Sequence, residues 1–356
     1  MSAIAVLTVI SLAQGIFLCF IVALLLINRS RLSWGRRGRT SAALTLSEPV
    51  KQWLVGEGDA SAVAAALRRV PADFALEQLV GGLASRVASA TRDELAVALR
   101  DERWVQRSLR RSRSPVWWRR LSAARLLAVV GGERDRAMLR ELLADRHPAV
   151  QTAATASLRR LADAQLVEFV LDQLPARPIA VRRYQFAELK ESWRLTTPLL
   201  LRRITASAGA EHLAVWISLA EEIGSAELLA RVVTLHQHPA PSVRIAAARA
   251  LKRYYHPDSV AALGRLLADD DWRVRGQAAR ALGALGASDA VGALGRAVFD
   301  ESWWVRFRAG LALAQIGEPG RRVLREVRDA GDPFAADMAR MVSGLSEGGI
   351  VELAEG

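Results

Sequence analysis

Cysteine is almost missing from this chain. Of 356 residues only Cys19 carries a thiol, so a disulfide framework, a cysteine-ligated zinc and a soluble cysteine nucleophile are excluded. Lysine is nearly as scarce: Lys51, Lys190 and Lys252 stand against a large excess of arginine, and the formal net charge is +12. Arginine in place of lysine, together with abundant alanine, points to a GC-rich bacterial genome, so the basic balance is poor evidence for phosphate recognition. Histidines are few; His147, His236, His238 and His256 mostly sit beside proline, with no carboxylate at metal-ligand spacing. There is no phosphate loop, dinucleotide fingerprint or nucleophile elbow. These absences predict a protein that is not an enzyme and uses no cofactor or metal.

What the chain does have is a period. Arg119, Val150, Val181, His212, Val243, Val274 and Val305 follow one another at one constant interval, without a slip. Eight positions beyond each start lie Leu127, Leu158, Leu189, Ala220, Leu251, Leu282 and Leu313, and twelve beyond lie Gly131, Gly224, Gly286 and Gly317, where a helix needs a C-terminal cap. In the unit at Val274 the 3.6-residue helical period puts Val274, Ala278, Ala281 and Leu282 on one face. A preceding helix supplies Val260, Leu263 and Leu267. Each unit buries one face only by stacking on its neighbours, so the fixed period predicts an all-α solenoid with an extended surface. Between Pro175 and Gly224 the pattern weakens, with His212 at a start and prolines at 175, 178 and 198. That stretch reads either as drifted spacing or as a partner site at a change of curvature.

The clearest units, DDDWRVRGQAARALGALG from Asp269 to Gly286 and DESWWVRFRAGLALAQIG from Asp300 to Gly317, resemble HEAT repeats of the short type found in phycobilisome-lyase-type HEAT-like proteins. The resemblance covers roughly residues 117–317 and implies a right-handed α-solenoid of stacked helix pairs. It also implies a ladder in which a turn Asp pairs with an Arg six residues later, here Asp269 with Arg275 and Asp300 with Arg306. Asp145 has the acid with Gln151 in the partner place, and Arg182 and Arg244 have the arginine without that acid. The His-Glu dipeptides used by iron-dependent hydroxylases of the HEAT class are absent.

Residues Ile4 to Ile27 carry no charge and Arg29, Arg31, Arg36, Arg37 and Arg39 follow at once. The length and the basic flank predict one transmembrane helix ahead of the solenoid, retained as an anchor in the bacterial inner membrane with the N-terminus outside and the remainder in the cytoplasm. Ser11, Gly15, Cys19 and Ala23 recur every four residues, a stripe suited to close helix packing, with Gln14 as a polar group beside it. The predicted organisation is an anchor over 1–28, a basic juxtamembrane linker over 29–47 and a helical cap or degenerate repeats over 48–111. The solenoid proper follows over 112–345 and a flexible tail over 346–356. Helices are expected at Ala60 to Arg69 and Ala72 to Ala84, with a capping-box start at Thr91 and Glu94. Arginines at 29–39 are also placed to meet anionic lipid.

Two surfaces stand out. Trp117, Trp272 and Trp303 share one repeat position, and Trp118, Arg273 and Trp304 share the next. They form an aromatic ridge along the inter-helix turns, either packing over the edge of the core or exposed as a binding hot spot. Arg125, Arg249 and Arg280, with Arg308 at a different offset, define a candidate basic inner stripe, which is either a solvated face or a site for an acidic partner. The function read from the sequence is a membrane-anchored scaffold that docks a protein, with a membrane enzyme or secretion complex as the partner class the anchor implies. Nucleic-acid binding through Trp and Arg is the alternative, set against the anchor. Bilin-lyase-like chromophore handling is a further alternative that rests on the repeat class alone. The oligomeric state is not encoded in any motif.

Overall fold

The structure, a computed structural model, describes residues 40–83, 89–205 and 209–355. Its elements are helical, with no strand among the described residues. The chain divides into two compact units, with the border between Ser157 and Leu158, inside the stretch expected to be one solenoid.

In the first unit α1 spans residues 40–54. It is followed by α2 (Ala60–Arg68), α3 (Ala72–Gln78), α4 (Ser89–Arg100), α5 (Arg103–Leu109), α6 (Trp117–Val130), α7 (Arg136–Leu143) and α8 (Pro148–Thr155). Asp59 starts α2 by accepting from Ala62 N at 2.8 Å, the usual way an acidic cap satisfies a free first-turn donor. Helix α3 continues as a π turn over Leu79–Leu83. The expected start at Thr91 is displaced, because α4 already begins at Ser89. The second unit contains α9 (Leu158–Leu161), α10 (Ala164–Gln173), α11 (Ile179–Glu191), α12 (Trp193–Arg203), α13 (Ala210–Ile223), α14 (Ala226–Val233) and α15 (Pro241–Leu251). It continues with α16 (Pro257–Leu266), α17 (Trp272–Ala284), α18 (Val291–Ala297), α19 (Trp303–Ile316), α20 (Glu318–Arg328), α21 (Pro333–Ser343) and α22 (Glu347–Glu355).

The periodic positions form the core. Val150 is buried in the first unit; in the second, Val181, Val243, Val274 and Val305 are buried, with Leu189, Leu251, Leu282 and Leu313. Arg119 and His212 depart from this, both being exposed. Beside His212 it is Leu213 that is buried, while Ala220 and the C-cap Gly224 keep the period. The His-Pro pairs have a local role. His147 Nδ1 accepts from Ala149 N at 3.2 Å and His256 Nδ1 from Asp258 N at 3.2 Å, while Pro148 and Pro257 fill first-turn positions that need no donor. Close approach of α17 and α19 depends on Gly283, where a Cβ would lie 2.6 Å from the Ala312 Cα. The tail expected to be flexible is helical over Glu347–Glu355 and packs on α19.

The localisation expected from the sequence is corrected here. Among the described residues no helix is long and apolar enough to cross a membrane. Residues 1–28, including the stripe Ser11, Gln14, Gly15, Cys19 and Ala23, and the arginines of 29–39 expected to meet anionic lipid lie outside the described residues. No single-pass inner-membrane placement is indicated.

The Arg-Asp ladder exists, in a different register from the one expected. Arg275 Nη1 donates to the backbone carbonyls of Asp269 at 2.8 Å and Asp270 at 3.1 Å, while its Nε and Nη2 hold the Asp300 carboxylate at 2.7 and 2.9 Å. Arg244 does the same with the carbonyls of His238 and Pro239 and the Asp269 carboxylate, at 2.7 Å for both bonds to the acid. In the first unit Arg120 joins the carbonyls of Ser114 and Pro115 to the Asp145 carboxylate, at 2.5 and 2.9 Å. The acid is therefore 25 residues after the arginine, in the next turn, and the acid six residues before it lends only its carbonyl. Gln151 keeps the carbonyl contact, to Asp145, but its Oε1 has no partner.

These rungs are two-pronged, charge-assisted and largely screened from water, the Arg275 and Asp300 side chains being 10% and 11% exposed. Removing one member strands the other, so Arg275→Leu is expected to cost about 3–5 kcal/mol, whereas Arg273→Ala, whose side chain is 61% exposed beside Asp271, costs within about 1 kcal/mol. Urea unfolding measures both. Burial pushes the Asp145 carboxyl up, but the Arg120 guanidinium and the His147 N–H outweigh it and hold it below its ordinary value of 3.8. A depressed carboxyl stabilises the fold above its unfolded value and loses that contribution as pH falls below it. Thermal melts should therefore fall on acidification below about pH 4, and Asp145→Asn should remove that part of the slope.

Candidate functional site

Two surfaces of the second unit carry the candidate residues. The first lies at the N-termini of the second helix of successive units. Asp271 caps α17 by accepting from Arg273 N, and Ser302 stands at the start of α19. These starts project the first residue of each helix outwards. Trp272 and Trp303 are each 45% exposed and Trp304 52%. Trp303 stacks on Phe307 at 5.0 Å and meets Trp304 edge-on at 4.9 Å. Phe334, one full period after Trp303, continues the series on α21 and is 67% exposed. The sequence reading missed it because only tryptophan was followed; the period alone would have found it. In the first unit Trp117 and Trp118 are exposed in the same way at the start of α6, and Trp117 stacks on His147 at 4.0 Å.

Arg273 points back to its own cap, with Nη2 2.6 Å from the Asp271 carboxylate. That bond, first among several causes, lowers Asp271 to about 2. Beside Trp303, Arg306 donates through Nη1 to the carbonyls of Asp300 and Glu301. The pair expected between Asp300 and Arg306 is thus a carbonyl contact, the Asp300 carboxylate being held by Arg275. Asp269 likewise serves Arg244.

The second surface is a groove of ≈ 430 Å³ lined by α11, α13 and α15, with Ile179, Arg182, Phe186, Ser218, Glu221 and Arg249 on its walls. Two of its walls, α11 and α13, fall in the stretch where the sequence period weakens. Arg249 is not a free cation: its Nε donates to Glu221 at 3.2 Å and its Nη2 to Ser218 Oγ at 2.6 Å, and Lys252 shares Glu221 at 3.1 Å. Arg280 Nε donates to the Ala354 carbonyl of α22 at 2.8 Å. Arg308 is pushed below its ordinary pKa by burial and by the neighbouring Arg280. Arg125 is exposed in the first unit. Of the second unit's arginines expected in the stripe, Arg249 and Arg280 are thus engaged by protein groups, and Arg308 stands beside Arg280.

Comparison with known families matches HEAT repeats over residues 197–276 and 263–342. No curated protein matches the chain. Among solved structures, the chain is similar to a mutant of Kap121p, with TM-score 0.44 and 14% identity over 87% of this chain, which spans 42% of that protein's length. It is also similar to the CpcE and CpcF complex of phycocyanin lyase from Nostoc sp. PCC7120, with TM-score 0.30 and 20% identity over 62% of this chain and 92% of that one. Human deoxyhypusine hydroxylase gives TM-score 0.30 and 18% identity over 78% and 98%. Scores of this size carry no argument about activity, and the family match is to HEAT repeats in general, without the phycobilisome-lyase type expected from the sequence.

Half-exposed tryptophans contribute little to a core. Trp303→Ala is expected to cost about 1 kcal/mol, chiefly its ring contacts with Trp304 and Phe307, and Trp272→Ala no more than about 1 kcal/mol. Trp216→Ala, which removes a ring that is 9% exposed and bonded to the Leu171 carbonyl, should cost about 3–5 kcal/mol; differential melting separates the two classes. Residues 197–342 thus match HEAT repeats in two overlapping stretches, in agreement with the constant period.

Proposed function

We propose that this protein is a docking scaffold without catalytic activity, whose HEAT-repeat units hold a partner protein on their surface. The observation that carries the reading is the exposed aromatic series Trp272, Trp303 and Phe334, recurring at one position of successive units. Large rings left in water at regular spacing are the residues from which protein interfaces draw most of their affinity. The groove beside Phe186 adds an apolar depression with polar walls. Nucleic-acid binding is the weaker reading: despite the charge of +12, Arg244, Arg273, Arg275 and Arg249 near these surfaces are already held by carboxylates. Chromophore handling has no support in the residues, since no side-chain set specific to a tetrapyrrole stands out on either surface.

The test is site-specific photocrosslinking in the native host. A photoreactive residue at position 303 should capture one discrete protein, and the same residue at exposed Arg125 should not. The captured protein is then identified, purified and titrated against the Trp272→Ala, Trp303→Ala double variant. Binding weakened at least about tenfold, with helical content unchanged, is the expected result. Unchanged affinity, or nucleic acid as the captured species, would overturn the reading.

A further inference from the structure

Both complete rungs of the second unit divide the guanidinium alike. Nη1 takes two carbonyls of the preceding turn, and the edge formed by Nε and Nη2 takes a carboxylate of the following one. Arg306 repeats the first half, with Nη1 2.8 Å from the Asp300 carbonyl and 3.1 Å from that of Glu301. The second half is different. At the place where the next rung acid would stand is Gly331, with φ of +82°, and Arg306 Nε is buried without an acceptor. A buried donor left in that state forfeits about 1–3 kcal/mol, and more when it belongs to a charged group, so the edge favours any acceptor that can reach it.

The surroundings specify which acceptor fits. Arg306 lines an open cleft of ≈ 350 Å³ with Phe299, Asp300, Glu301, Asp332 and Phe334. All three acids of that cleft are engaged elsewhere. Asp300 and Glu301 bind Arg275, and Asp332 caps α21 through Ala335 N at 2.7 Å. The Phe334 ring lies over the guanidinium, 5.5 Å from Cζ to its centre. A ring face attracts a cation, but more weakly than a desolvated carboxylate at a planar fork does. The Phe334 ring is largely exposed and so offers apolar surface on which an incoming side chain can pack.

We propose that the open edge of Arg306 binds the carboxylate of an Asp or Glu side chain of the docked protein, and that an apolar neighbour of that acid packs between Phe299 and Phe334. The partner segment completes the ladder from outside, supplying the acid that the chain's own Gly331 position lacks. This rests on the docking reading above and names the chemistry of one end of that surface.

The probe is a random displayed-peptide library panned on the full-length chain, with recovered peptides titrated by fluorescence anisotropy. Recovered peptides should carry Asp or Glu next to Leu or Phe, and replacing the acid by its amide should weaken binding about ten- to hundredfold. Arg306→Gln should weaken it equally. Phe334→Ala should weaken it several-fold without moving the melting temperature, which guards against a folding defect in the arginine variant. Recovery of peptides without an acid, equal binding of acid and amide forms, or Arg306→Gln binding like wild type each overturns the proposal. Self-association lost in Arg306→Gln also overturns it, by making a second copy the occupant. If the Trp272→Ala, Trp303→Ala variant loses the peptides while Arg306→Gln keeps them, the docking surface stands and the carboxylate site fails. If neither variant matters, both fail.

Discussion

The arginine rung is the constraint on which the rest of the second unit depends. A helix pair with one apolar face has many ways to slide against its neighbour, since dispersion and hydrophobic burial are indifferent to small shifts. A planar guanidinium that must reach two carbonyls on one side and both oxygens of a carboxylate on the other has one. Arg244 and Arg275 therefore fix the register between successive turns, and with the register fixed, Val243, Val274 and Val305 fall into the same layer of the core. The same geometry sets where each second helix begins, and so directs Trp272 and Trp303 outwards at equal intervals. Surface and core are two results of one alignment.

Close packing supports this from the other side. Gly283 allows α17 and α19 to approach where any side chain would strike Ala312, and Gly320 comes so near the Leu313 carbonyl that a Cβ would stand 1.9 Å away. Alanine-rich second helices with glycine at the contacts bring the helix axes together, which shortens the span the arginine has to bridge. Small residues and long cations are thus complementary choices: the first reduce the spacing, the second measure it.

Much of this was legible in the sequence because periodicity survives translation into three dimensions. A constant interval, with Val at the start and Leu eight positions later, identified the buried faces. What periodicity does not encode is which of two candidate partners a side chain selects. Asp269 precedes Arg275 by six positions and follows Arg244 by 25, and only the direction in which the arginine leaves its helix decides between them. The exposure of His212 was hidden for a related reason, since Leu213 beside it fills the core instead. Phe334 was overlooked because a change of aromatic type concealed an unchanged spacing. The tail was expected to be flexible, but the Arg280 bond to the Ala354 carbonyl gives its helix an anchor that composition does not reveal.

Because the carboxylate of each rung comes from the following turn, the array has a natural unit of length variation. Removing one whole period after Arg244 would bring Asp300 to the place Asp269 now holds, and the cation would find an identical partner. Inserting another such block would do the same. A deletion of any other length would leave a guanidinium facing the wrong turn. The genes for such chains are thereby free to lengthen or shorten by whole repeats, while partial ones are removed by the electrostatics of a single side chain.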